Sequence, residues 1–115
     1  MFTLAVPLFA AAAGDPQAGK AVFDSRCASC HSVGPSAHGA FGPQLNGIIG
    51  RKAGATTDYA YSPAMKNSKI VWTETTLRQF IASPSDVVPG TKMRFWGMSD
   101  KEKVDNLLAY LRTFK

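Results

Sequence analysis

The chain of 115 residues has only two cysteines, and two thiols cannot build a disulfide framework. Long apolar runs are also missing. No stretch reaches the roughly 18 residues that a bilayer-spanning helix needs. Charge is sparse at 18% of residues, and 13 Lys and Arg against 8 Asp and Glu leave a net +5. That excess is enough to bias the choice of partner but too small for a nucleic-acid-binding arm, so no nucleic acid is expected. There is no internal repeat and no low-complexity linker, and the length excludes separate cofactor and substrate domains. What remains is a globular composition, 45% hydrophobic, on a single small domain. At this size the core is thin, and a bound group that adds apolar volume would help it.

Residues 1–13 carry no charge, are mostly apolar and run into Ala10-Ala11-Ala12-Ala13 before Gly14-Asp15-Pro16. They read as the apolar centre and small-residue cleavage site of a secretory signal ending near Ala12 or Ala13. The basic start of such a signal is missing, so a retained apolar extension is the alternative. The folded domain is expected over residues 14–115.

Within it, Asp15-Pro16 marks a helix start, an Asp N-cap with Pro at the first helical position. Ala18, Val22 and Phe23 follow at helical spacing and predict a helix to about Cys27, with Gly19 allowing another element to come close. Residues 32–57 are crowded with Gly, Pro and Ser and keep no strand-period pattern. So much irregular chain in a compact domain needs something to wrap around. Ser62-Pro63 opens a short helix to about Lys69. Thr73 caps a longer one with Leu77, Phe80 and Ile81 on one face, ending at Ser83-Pro84. In the last helix Ser99 and Glu102 are expected to form a capping box ahead of Val104, Leu107, Leu108 and Leu111. The fold class is all-α.

The chemistry sits at Cys27-Ala28-Ser29-Cys30-His31, the attachment signature of a c-type haem. One helical turn puts both thiols on a common face, where they can add across two vinyl groups, and the adjacent imidazole reaches the iron as its fifth ligand. Three other readings compete. A thioredoxin-like redox pair needs a βαβ context that this sequence lacks. A zinc site from Cys27, Cys30, His31 and His38 needs neighbouring residues to converge on one ion. Two buried, inert cysteines are the third. For the sixth position the thioether candidates are Met65, Met93 and Met98. Met93 stands apart because it follows Pro89-Gly90-Thr91-Lys92, a rigid irregular segment that can hold a side chain without burying a helix face. Met98 precedes a helix cap and Met65 lies near a helix end, so both read as packing. His38, close to His31, reads as a loop histidine.

The chain resembles the class I cytochromes c of the mitochondrial and soluble bacterial electron-carrier type. The likeness rests on Gly14-Asp15 with Gly19-Lys20, on Gly42-Pro43 with Leu45 and Gly47, and on Gly50-Arg51-Lys52 with Gly54. It extends through Tyr59, Tyr61-Ser62, Trp72, Pro89-Gly90-Thr91-Lys92-Met93 and Leu107-Leu108-Ala109-Tyr110-Leu111. It implies a small cytochrome c fold of helices and long turns wrapped around one covalently bound haem c, with His31 and Met93 as axial ligands. It also implies that the first and last helices cross near Gly19, Phe23, Leu107 and Tyr110, and that the Pro43 carbonyl orients His31. Arg51, Tyr61, Ser62, Trp72 and Thr91 are expected around the propionates, and Phe95 beside the exposed haem edge. On their own, Tyr61 and Trp72 could be core aromatics and Arg51-Lys52 a solvated turn, but a buried propionate demands such donors.

Two interior positions depart from the family pattern. Phe80 stands where a tyrosine usually donates toward the methionine sulfur, and Met65 where an asparagine joins the same network. On the surface, Ala21, Ser85, Asp86 and Ser99 replace several lysines that ring the haem edge in the mitochondrial proteins. Arg26, Lys92, Arg94 and Lys101 remain for docking. The resemblance implies a monomeric one-electron shuttle rather than an enzyme. Its donor would be a membrane-bound complex of the quinol-cytochrome c reductase type. Its acceptor would be a terminal oxidase, a photosynthetic reaction centre or a periplasmic reductase. The expected compartment is the bacterial periplasm, with the mitochondrial intermembrane space as alternative. A haem peroxidase or gas-binding protein is the competing function, should the methionine be labile.

Overall fold

The structure, a computed structural model, describes residues 14–115, and the expected leader at residues 1–13 lies outside them. Five helices follow in order: α1 Pro16–Arg26, α2 Pro63–Lys66, α3 Glu74–Ala82, α4 Pro84–Val87 and α5 Lys101–Leu111. Among the described residues no helix is long and apolar enough to cross a membrane.

The Asp15 carboxylate accepts from the Gln17 N–H and Pro16 takes the first turn, as their order predicts for α1. The expected close approach at Gly19 is made by α5, the helix against which α1 packs. A Cβ at Gly19 would overlap the Asn106 carbonyl oxygen and crowd the Tyr110 Cβ. Phe23 is buried under the crossing with its ring centroid 5.6 Å from that of Tyr110. The Asp15 N–H donates to the Asn106 side chain at 2.8 Å, tying the start of α1 to the same helix. Val104, Leu107, Leu108 and Leu111 form the buried face of α5, as their i, i+3, i+4, i+7 spacing requires.

Several boundaries differ from expectation. The cap of α5 is Asp100 rather than Ser99: the Asp100 carboxylate accepts from the Lys103 N–H at 3.1 Å. A charged acceptor one residue nearer the helix suits the positive N-terminus better than a hydroxyl does. The α2 helix stops at Lys66 with Asn67 as its C-cap, and it does not reach Lys69, whose positive φ of 60° a helix cannot accommodate. Thr73 caps α3 through a reciprocal box with Thr76, and the helix ends at Ala82 as expected. Beyond it, Pro84 both stops α3 and starts α4, a turn of helix that the sequence pattern does not announce. The irregular region also contains one antiparallel bridge, Lys52 to Val71, flanked by Ala53 N–H to Ile70 O at 2.8 Å and Trp72 N–H to Arg51 O at 2.9 Å. It is too short to leave a period-two signature.

Candidate haem site

The turn carrying the two cysteines grows directly out of α1. Cys27 is the C-cap of that helix, and the N–H groups of Cys30 and His31 both return to the Cys27 carbonyl at 3.1 and 3.0 Å. This puts both sulfur-bearing residues and His31 on the wall of one cavity of about 400 Å³. Burial, helped by the neighbouring Cys30, pushes the Cys27 thiol up to about 11, partly opposed by Arg26. The thiol is therefore protonated at neutral pH.

His31 donates from Nδ1 to the Pro43 carbonyl oxygen at 2.8 Å, the contact the family resemblance implies. A carbonyl can only accept, so the ring hydrogen sits on Nδ1 and the neutral imidazole keeps its Nε2 lone pair free for a metal. Burial pushes the His31 pKa down, the Pro43 bond opposes that, and nearby Arg51 adds to it. Gly42 lets the loop come this close. A Cβ there would stand 2.6 Å from His31 Cε1. That role is not visible in the bare Gly42-Pro43 motif.

The residues expected to attach, ligate or surround the haem all reach the same cavity: Cys27, Cys30, His31, Arg51, Tyr61, Ser62, Trp72, Thr91 and Met93. Met65 and Met98 line it as well, so three thioethers share one wall system. Met98 is buried in the core, with its N–H on the Ile81 carbonyl at 2.9 Å, which accords with packing. Met93 is only partly buried and sits in irregular chain, its N–H donating to the Thr91 hydroxyl at 3.2 Å. His38 is exposed and bonded to the carbonyl of Ser36, away from the cavity. Among the described residues no three His, Cys, Asp or Glu side chains gather as a metal cluster, so the zinc alternative has no site.

Sequence spacing alone does not reveal the partners that hold the polar residues. Arg51 donates to the carbonyls of Gln44 at 2.7 Å and Asn46 at 3.1 Å, and burial pushes its pKa down. Asn46 in turn exchanges two bonds of 2.8 Å with the Gly34 backbone, so this part of the wall is braced. The Tyr61 hydroxyl pairs with Thr56. Ser62 caps α2 by accepting from the Met65 N–H. Trp72, 5% exposed, packs against Phe80 with centroids 5.0 Å apart and ring planes tilted by 51°, and its indole N–H has no acceptor among the described residues. Among the described residues no fully buried polar side-chain atom lacks a partner, so this N–H opens on the cavity, where it suits an anionic group. The apolar walls of Leu45, Ile48, Leu77, Phe80 and Ile81 fit a flat hydrophobic group, so the residues suit a haem.

The cytochrome c family model matches residues 16–115. The chain belongs to the cytochrome c family. It is 50% identical over 103 residues to cytochrome c2 of Rhodoblastus acidophilus, covering 90% of this chain and 95% of that protein. It is 48% identical over 101 residues to cytochrome c-550 of Nitrobacter winogradskyi, covering 88% and 92%. Among solved structures it resembles cytochrome cH from Methylobacterium extorquens, with a TM-score of 0.79 and 44% identity over 87% of this chain and 99% of that one. This cytochrome c is thus an all-α electron carrier with covalently attached haem c, and Cys27 and Cys30 are present in the C-x-x-C-H arrangement.

Proposed function

We propose that this cytochrome c is a soluble, monomeric one-electron carrier of the bacterial periplasm, with His31 and Met93 as axial ligands. The observation that carries the reading is the cavity shared by Cys27, Cys30, His31 and Met93, with His31 held by Pro43. When bound, the haem supplies a one-electron iron couple. Cys27 and Cys30 fix it to the end of α1. His31 offers Nε2 because Nδ1 is committed to the Pro43 carbonyl. Met93 offers a thioether, which favours the reduced metal. Leu45, Ile48, Leu77 and Phe80 keep water out. Arg51, Tyr61, Ser62, Trp72 and Thr91 offset the charge of the propionates; Thr91 and Ser62 accept backbone bonds and so keep a hydroxyl hydrogen to donate.

With His31 and Met93 both holding the metal, no position would remain open to a substrate, and the protein would serve as a carrier rather than an enzyme. Its donor is a membrane-bound complex of the quinol-cytochrome c reductase type. Its acceptor is a terminal oxidase, a photosynthetic reaction centre or a periplasmic reductase. The test pairs two variants. Both variants should keep covalent haem; Met93→Ala should lower the reduction potential, bind carbon monoxide when reduced and gain some peroxidase activity, while Met98→Ala should show none of these three changes. The opposite outcome assigns the ligand to Met98. Carbon monoxide binding by the unmodified protein at neutral pH would favour the gas-binding or peroxidase reading instead.

A further inference from the structure

We infer that Trp96 is the apolar anchor with which this cytochrome docks on its redox partner, seated in an apolar socket rimmed by carboxylates; the inference rests on the carrier reading above. The chain around Met93 is irregular, and the exposure of its side chains alternates. Met93 and Phe95 pack against the core, while Lys92, Arg94 and Trp96 face solvent. Trp96 is 102% exposed, so the fold uses none of its surface. The next most exposed large hydrophobic residue is Phe41, at 86%, and it stands on the wall of the haem cavity. An indole left wholly in water stabilises nothing in the monomer, yet Trp and Arg are the residues that dominate interface energetics.

The stripe itself carries two cations, Lys92 and Arg94, and Phe95 in its middle carries Arg26; the cavity these residues border has no Asp or Glu on its wall. Arg26 is held over the Phe95 ring, 5.5 Å from its centroid, and the Lys92 ammonium rests on the Ala60 carbonyl at 2.7 Å, so both cations are already positioned. The complement of such a face is an acidic rim around an apolar pocket. A second copy of this chain would set like charges against each other. A bilayer would meet one short stripe rather than an amphipathic helix with a broad apolar face. A redox protein with an acidic face suits the charges best.

The experiment uses the haem-loaded protein with Trp96→Ala, Trp96→Tyr and Arg94→Gln, oxidised by a purified terminal cytochrome c oxidase, with ferricyanide as an oxidant that needs no docking. Trp96→Ala should raise KM about tenfold, with kcat, reduction potential and the ferricyanide rate unchanged, and Trp96→Tyr should restore most of the loss. The Trp96→Ala effect should persist at high salt, whereas the Arg94→Gln effect should shrink. An unchanged KM in Trp96→Ala, or a change that salt abolishes, overturns the anchor. So does a Trp96-dependent dimer in sedimentation, or Trp96-dependent binding to vesicles of equal parts phosphatidylcholine and phosphatidylglycerol. Wild-type protein that binds carbon monoxide when reduced at neutral pH overturns the carrier reading itself.

Discussion

His31 is held from one side by the Pro43 carbonyl and from the other by the absence of a side chain at Gly42. Gly42→Ala would place a methyl 2.6 Å from the imidazole Cε1, so either the ring or the loop must move. Over-packing of that kind costs about 1–3 kcal/mol, which should appear as a lower melting temperature of the haem-loaded protein, and an unchanged value would show that the loop yields freely. Phe80 acts through what it lacks. It is buried against Trp72 on the cavity wall and has no hydroxyl to donate toward a methionine sulfur. A donor there would draw electron density from the sulfur and favour the reduced iron, while an apolar shell favours the less charged iron, so the two effects oppose each other. A hydrogen bond worth about 0.5–1.5 kcal/mol corresponds to tens of millivolts for one electron. We expect the hydrogen bond to win, so that Phe80→Tyr raises the potential, and more surely with Met65→Asn, which restores a polar neighbour. Voltammetry of both variants decides it: a fall in each, with Met93 still bound, would mean that polarity near the iron outweighs the sulfur's bond.

At the scale of elements, α1 packs across α5, and an ion pair ties α3 to α5. Asp105 on α5 meets Arg78 of α3 at 2.6 Å and Lys101 at 2.7 Å, and those two cations hold its carboxyl below the ordinary value of 3.8. A carboxyl depressed on folding stabilises the folded state fully above its unfolded pKa and loses that contribution as pH falls through the folded one. Asp105→Asn should therefore lower stability at neutral pH, with the difference from wild type closing as pH drops below about 4; denaturant titrations at two pH values check it, and a constant difference would contradict the linkage. The helices themselves were legible because their signals are local: Asp15-Pro16, Thr73 and the Leu107–Leu111 stripe each act within a few residues. The cap of α5 was misread because Ser99 and Asp100 are both capable, and only backbone geometry decides between them. Cys27, Cys30, His31 and Met93 lie in short local motifs, and the structure gathers them on one cavity. The braces were not legible: Arg51 on Gln44 and Asn46, Tyr61 on Thr56, and Arg26 on Phe95 are choices of partner that spacing leaves open.

Across the whole molecule, the net +5 is not concentrated in a lysine ring. Ala21, Ser85, Asp86 and Ser99 stand where related carriers place lysines, and the charge of Lys101 is drawn into the pair with Asp105. Electron transfer to an acidic partner should therefore slow with added salt, yet less steeply than for a lysine-ringed cytochrome c measured alongside. A steeper slope would mean that the remaining cations act as a stronger patch than their number suggests. The local motifs, the braced cavity and the sparse surface charge all rest on one claim, that side chains of this chain fill both axial positions and Met93 fills the sixth. The most direct measurement is the optical spectrum of the oxidised protein at neutral pH, in the far red, where a methionine sulfur bound to ferric iron gives a weak charge-transfer band. The band should be present in the wild type and in Met98→Ala and absent from Met93→Ala; its absence from the wild type, or its survival in Met93→Ala, would contradict the account.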